Sequence, residues 1–298
     1  MQQIINRPAM TLCAMFAFHE RLIPPPQLVR FLYGPAPAEA ALDGLLGLNR
    51  YVEVAQRLRR RYGVRCPNMV GYLSNTQPLN LVFTSRYFQI GGDHAFDDSY
   101  KFVGPSVALP TETGATEEAF PWEALTGQPL IYISMGTMYN AEADFYHTCF
   151  AAFADRDYQV VLSIGQRISD DALRPAPANF IVRRHVPQLA LLQRAALFIT
   201  HGGMNSANEG ILFHVPMIVL PQQADHYVVA QRVDELGAGI VLDRSQASAA
   251  RLAALATQVL ADPNYKQQCI TIAQTFHEAG GYQRAADEIM AYKAHIGL

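Results

Sequence analysis

Short apolar runs alternate along this chain with longer stretches in which apolar residues recur every three or four positions. From Trp122 onward the alternation is regular. PLIYISMGT predicts a strand closed by a glycine turn at Gly136-Thr137. It is followed by a helix over about Ala141 to Ala154, a strand Tyr158 to Gly165 and a strand Asn179 to Gln188. ALFIT (Ala196 to Thr200) is a partly β-branched run of the kind that strands buried on both faces require. Beyond it come a helix from Asn205 or Ser206 to Phe213, strand Met217 to Pro221, helix Val228 to Leu236 and strand GIVLD. Helices near Ala247 to Leu260 and Tyr265 to Ala279 follow, then an amphipathic helix Tyr282 to His295 after Gly280-Gly281. Strands alternating with helices predict a doubly wound parallel sheet in an α/β fold. Upstream the pattern is sparser: a strand Thr11 to Phe18, then Pro24-Pro25-Pro26, which neither a helix nor a central strand carries, a helical stretch Ala38 to Tyr62, and a strand Leu79 to Ser85. The Pro-, Thr-, Glu- and Gly-rich stretch Pro105 to Pro121 reads as a linker. The segments are therefore 1–104, a linker 105–121, a main α/β domain 122–280 and a terminal helix 281–298.

The stretch from Arg184 to His226 concentrates the polar residues that a fold alone does not need. Its apolar strand ends abruptly at His201-Gly202-Gly203, where two glycines free the backbone to turn and to approach a ligand. A helix follows at once. Its first amides lack intrahelical partners and its dipole places partial positive charge there, so a phosphate is expected at this turn. Ser206-x-x-Glu209 also fits a capping box, which would explain both residues without any ligand. A cap does not account for His201, or for Gln222-Gln223-Ala224-Asp225-His226 after the next strand. Both clusters fall at the carboxyl ends of parallel strands, where open α/β sheets bind ligands. Two such clusters on one edge favour a site over a cap, and Gly136-Thr137 offers a second glycine turn to the same phosphate.

Composition narrows the class. The chain has 298 residues, half of them hydrophobic and 16% charged, an ordinary composition for a globular chain of about two domains. A net charge of −3 argues against a nucleic-acid partner. No apolar run reaches bilayer length, and Thr11 to Phe18 lacks the cleavage site of a signal peptide, so no transmembrane segment and a cytoplasmic location are expected. Cys13, Cys66, Cys149 and Cys269 are scattered without ligand spacing. Arg57, Arg59, Arg60 and Arg61 lack interleaved aromatics and read as a solvated helix end. Asp155-Arg156-Asp157 has the spacing of a metal-binding D-x-D but sits between a helix and a strand, at the wrong end of the sheet, and reads as a turn. Neither a dinucleotide GxGxxG after a strand nor a P-loop nor a Gly-x-Ser-x-Gly elbow is present.

With these residues laid out, the chain resembles the nucleotide-sugar-dependent glycosyltransferases of the GT-B fold, in particular the bacterial macrolide glycosyltransferases. HVPQLALL, FITHGGMNSANEGI and VPMIVLPQQADHYVVAQRV carry the likeness, with ISMGT, RYFQ, KFVGPS and GGYQRAADEI in support. The resemblance implies two Rossmann-like halves, a complete C-terminal one for the donor and an incomplete N-terminal one on the acceptor side, with the last helix packing back on the latter. It implies a UDP-sugar (or TDP-sugar) as co-substrate, no metal or other cofactor, and inverting transfer of a hexose to a hydroxyl of a small lipophilic acceptor such as a polyketide or flavonoid. It also assigns roles. His201 faces the β-phosphate, with the amides around Gly203, Asn205 and Ser206 on the diphosphate. Glu209 accepts from the ribose hydroxyls with Gln188 near by. Val186 bonds the base through its backbone, with His185 beneath it. Asp225 and His226 meet sugar hydroxyls, and Gly136 and Thr137 approach from the other side. The family usually has Gln where His226 stands and often Trp where His185 stands. Its general base, an early-loop His oriented by an Asp, has no counterpart here. His19 does not occupy that motif, and the matching segments are expected upstream of Met1. A donor-binding half completed by a separate acceptor chain is the alternative. An epimerase on the same fold is disfavoured by Asp225-His226.

Overall fold

The structure, a computed structural model, describes residues 8–19, 52–64, 74–107, 120–138, 140–141, 143–173, 175–222 and 225–298. It divides into two units. One holds the described residues up to Ser106 together with Asp225 and Thr275–Leu298, and the other runs from Val107 to Gln222 and from His226 to Gln274.

The larger unit is built on six parallel strands: β4 (Leu130–Ser134), β5 (Gln159–Ser163), β6 (Phe180–Arg183), β7 (Ala195–Thr200), β8 (Met217–Val219) and β9 (Gly239–Val241). Their spatial order is β6-β5-β4-β7-β8-β9. The first strand in sequence is therefore central, and the chain runs outward from it in one direction and then in the other. The reversal falls between β4 and β7, and a crevice for ligands opens at the carboxyl ends of just such a strand pair. Ile131, Ile133, Leu162, Leu197, Ile199 and Ile218 are buried in one core with Phe145, Phe150 and Phe153 of helix α1 (Ala143–Phe153) and Leu252, Leu255 and Val259 of helix α5 (Ala249–Ala261). On the other face of β4 and β7, Tyr132 and Phe198 stack with ring centroids 4.9 Å apart and planes 5° from parallel. Burial on both faces explains why these strands read as unbroken apolar runs. Among the described residues, this part of the chain also holds the α-helices α2 (Gln188–Leu192), α3 (Met204–Leu212), α4 (Asp225–Glu235) and α6 (Pro263–Ala279).

Among its described residues the smaller unit holds three parallel strands in the order β1 (Met10–Cys13), β2 (Leu79–Val82) and β3 (Tyr100–Phe102). The last helix, α7 (Gly281–His295), belongs to it: Ala285 is buried with Leu79, Leu81 and Val103, and Ile289 and Tyr292 pack on the same cluster.

Several expectations need adjustment. The strand expected over Thr11 to Phe18 stops at Cys13, where its parallel partner β2 also ends. The strand expected over Asn179 to Gln188 ends at Arg183, level with Ser163 at the end of its partner β5, and Pro187 forms the N-cap of the short helix α2. The strand β3 was hidden by its three-residue length. The central helix begins at Met204, not at Asn205 or Ser206, and α4 begins at Asp225, three residues before the expected start. Pro24 to Pro26, Cys66 and most of the expected linker lie outside the described residues, as does the first part of the helix expected from Ala38; residues 52–62 are helical.

Candidate functional site

Two glycine turns meet at the strand reversal. β4 runs into Met135-Gly136-Thr137 and β7 into His201-Gly202-Gly203. Gly136 (φ +78°) and Gly202 (φ +82°) occupy left-handed backbone that side chains disfavour. A Cβ built on Gly136 would lie 2.7 Å from the His201 ring, and one on Gly203 would lie 2.6 Å from its Nε2. The imidazole is thus gripped between the two turns, and only glycine leaves room for it. Helix α3 starts directly behind it, with Gly203 as N-cap and no side chain bonded to the cap amides. The capping box therefore does not form. Ser206 stands inside the first turn, Asn205 is exposed, and Glu209 turns to Gln188 instead. First-turn amides without a side-chain cap, at the positive end of the helix dipole, form an anion cradle.

His201 is flanked by a second imidazole. The His226 ring, buried near the start of α4, meets it edge-on with centroids 4.6 Å apart. Burial, reinforced by the His226 charge and opposed by a backbone hydrogen bond at Ser134, pulls the His201 pKa down to about 4. At neutral pH the His201 ring is therefore uncharged, with its one N–H donated to the Ser134 backbone carbonyl, and an arriving anion raises its proton affinity so that the second ring nitrogen takes up a proton to donate. Asp225 is the first residue of α4, next in sequence to His226, and Thr137 is exposed beyond Gly136.

A second group lies along α2 and α3. The Tyr132 hydroxyl donates to Gln188 Oε1 at 2.7 Å, and Gln188 Nε2 donates to Glu209 Oε2. Burial raises the pKa of Glu209 and the Gln188 hydrogen bond opposes that rise. His185 is exposed and pairs with Gln166 at 2.9 Å between its Nε2 and the amide Nε2. It lines one end of a groove of about 740 Å³ with Ile164, Leu173, Phe180, Val182 and Arg184. Val186, next in the chain, is half-buried. Asn140, buried, donates from Nδ2 to the Gly136 carbonyl at 2.8 Å and so ties down the first glycine turn.

Of the residues singled out by sequence, the structure brings His201, Gly136, Gly203 and His226 into one group and Gln188 and Glu209 into another. His185 stands with Gln166. Tyr132, Asn140 and Gln166 were missed. Gln166 follows the carboxyl end of β5, a position that marked it out. Tyr132 gave no signal, since an aromatic inside an apolar run reads as core. Among the described residues no three His, Cys, Asp or Glu side chains gather as metal ligands, and no helix is long and apolar enough to cross a membrane.

Comparison with known proteins bears on this arrangement. Residues 147–281 match the family described as Erythromycin biosynthesis protein CIII-like, C-terminal domain. The chain is 34% identical over 287 residues to the uncharacterized UDP-glucosyltransferase YojK of Bacillus subtilis, covering 96% of this chain and 68% of that protein. It is 40% identical over 220 residues to the NDP-glycosyltransferase YjiC of Bacillus licheniformis, covering 74% of this chain and 54% of the relative. Among solved structures, the calicheamicin glycosyltransferase CalG4 superposes with a TM-score of 0.78 at 27% identity, covering 100% of this chain and 70% of that one. The chain thus spans between about half and two thirds of the length of these curated relatives.

Proposed function

The chain belongs to the GT-B UDP-glycosyltransferases, in the macrolide group, and from that membership we propose that it transfers a hexose from a UDP-sugar or TDP-sugar to a hydroxyl of a small lipophilic acceptor. The observation that carries this reading is His201, uncharged and gripped between two glycine turns at the N-terminus of α3, where no side chain bonds the cap amides. A diphosphate seated there meets helix amides and a ring N–H, which stabilise the charge that grows on it as it leaves.

In this reading the acceptor oxygen attacks the anomeric carbon from the side opposite the diphosphate. The bond from that carbon to the phosphate oxygen breaks, the configuration inverts, and the hydroxyl proton passes to a base to which no residue of this chain is assigned. Gly136 and Thr137 bound the phosphates on one side, with Gly203, Asn205 and Ser206 on the other. Glu209 and Gln188 take the ribose, Val186 and His185 the base, and Asp225 and His226 the sugar hydroxyls. Helix amides and an imidazole supply the positive potential, so binding is expected to survive EDTA. A cytoplasmic location and a polyketide or flavonoid acceptor complete the proposal.

Calorimetric titration with UDP and UDP-glucose tests it. The wild-type chain is expected to bind both, and His201→Ala to weaken UDP by tenfold or more, about 1.4 kcal/mol or above, as expected for loss of a charge-assisted hydrogen bond. A folded wild-type chain that binds neither nucleotide overturns the reading. A second reading is a donor-binding half that works with a separate acceptor chain. Glycoside formation by this chain alone decides against it.

A further inference from the structure

Tyr132 lies in the middle of β4, fully buried, in a position where a phenylalanine would pack as well. Its ring pairs in register with Phe198 and stacks on it, so its carbon skeleton is accounted for by the core. Its hydroxyl is not. It donates to Gln188 Oε1, and Gln188 Nε2 donates to Glu209. Each end of this chain of three constrains the other. An ionised carboxylate only accepts, so Gln188 must show Glu209 its amide nitrogen. The Gln188 oxygen then faces Tyr132, which must donate. Burial, the largest influence, and the nearby Glu209 charge keep the phenol protonated, against hydrogen bonds with the Ser134 and Ser163 side chains. With the amide locked from both ends, one Glu209 oxygen is committed to Gln188 and the orientation of the other is fixed.

We propose that Tyr132 is a positioning residue for nucleotide recognition: through Gln188 its hydroxyl aims the Glu209 carboxylate at the ribose hydroxyls of a nucleoside diphosphate. This rests on the donor-site reading above. Without the hydroxyl, the Gln188 amide is held only at its Glu209 end and its oxygen loses its donor. The Glu209 carboxylate then samples several orientations, and what is lost is recognition of the ribose hydroxyls. Base and diphosphate binding involve other residues and remain.

The test compares wild type and Tyr132→Phe by calorimetry with two nucleotides, UDP and 2′,3′-dideoxyuridine diphosphate. The variant is expected to bind UDP roughly threefold to tenfold more weakly, the range of one neutral hydrogen bond, and to bind the dideoxy nucleotide as wild type does. In a Glu209→Ala background, Tyr132→Phe is expected to change UDP affinity no further. Thermal unfolding of each variant reports the fold, which the retained phenyl ring preserves. Equal losses for both nucleotides, or an undiminished Tyr132→Phe effect in the Glu209→Ala background, would overturn the positioning role and leave the donor site standing. A wild-type chain that binds neither nucleotide overturns the donor-site reading and this proposal with it.

Discussion

Gly202 and Gly203 are adjacent and chemically identical, yet they serve different ends. Gly202 holds φ +82°, and a Cβ there would lie 2.5 Å from Val219 Cγ1 in the core. Gly202→Ala combines a disfavoured backbone with overpacking, so it is expected to cost about 2–4 kcal/mol in urea denaturation. Gly203 has φ −62°, which any residue adopts, and its Cβ would meet only the His201 ring. Gly203→Ala is therefore expected to leave stability within about 1 kcal/mol of wild type and to weaken UDP binding by displacing the imidazole. His201 also sets a pH dependence. Its folded pKa, about 4, lies below the ordinary value of roughly 6.5, so the unfolded chain binds more protons between those limits. Stability is then complete above pH 6.5 and falls on acidification to pH 4, by at most about 3 kcal/mol. Glu209, whose folded pKa is raised, has the opposite sign: it favours the folded state at low pH and loses that contribution as pH rises. Denaturation midpoints between pH 7 and 4.5 are expected to fall less in His201→Gln than in wild type. At this scale the glycines and His201 were legible, because their residue types are unusual at a strand end. The Tyr132 hydroxyl was not, because its role depends on a partner 56 positions away.

Elements were legible where burial was greatest. β4, β7 and β8 are apolar on both faces and bounded by Gly or Pro, so their existence followed from pattern alone. The misses were short elements whose formation depends on neighbours: β3 exists because β2 pairs with it, and α2 is one turn begun by Pro187. One irregularity was beyond any pattern. Leu130 pairs with Ala195 but Ile131 pairs with Leu197, so Ala196 is an extra residue in β7. Without it, continued pairing would set Leu197 opposite Tyr132 and Ile199 opposite Ser134. The bulge therefore determines that Phe198 lies against Tyr132 and that Thr200, immediately before His201, ends level with Ser134. Helix α3 likewise could not be located to the residue by sequence, because Ser206 imitated a cap that Gly203 supplies without any side chain.

At the scale of the molecule, the parallel-sheet architecture followed from the alternation of strands and helices, whereas the membership of the smaller unit did not. Its core is assembled from the two ends of the sequence, and no local pattern shows that Ala285 packs on Leu79 and Leu81. Ala285→Asp places a charge in that core, and burial of an unpaired carboxylate is among the costliest single changes. The variant is expected to show a lowered first transition in differential scanning calorimetry, with UDP affinity of the larger unit retained. The same arrangement has a consequence for how the chain is made. The strands of the smaller unit leave the ribosome well before α7, which covers Leu79, Leu81 and Val103. At about 5–20 residues per second, the 178 or so residues between Val103 and Gly281 take roughly 9–36 seconds to emerge. Throughout that interval the larger unit can complete its sheet while the smaller one waits, its apolar face uncovered and open to chaperones, until α7 emerges.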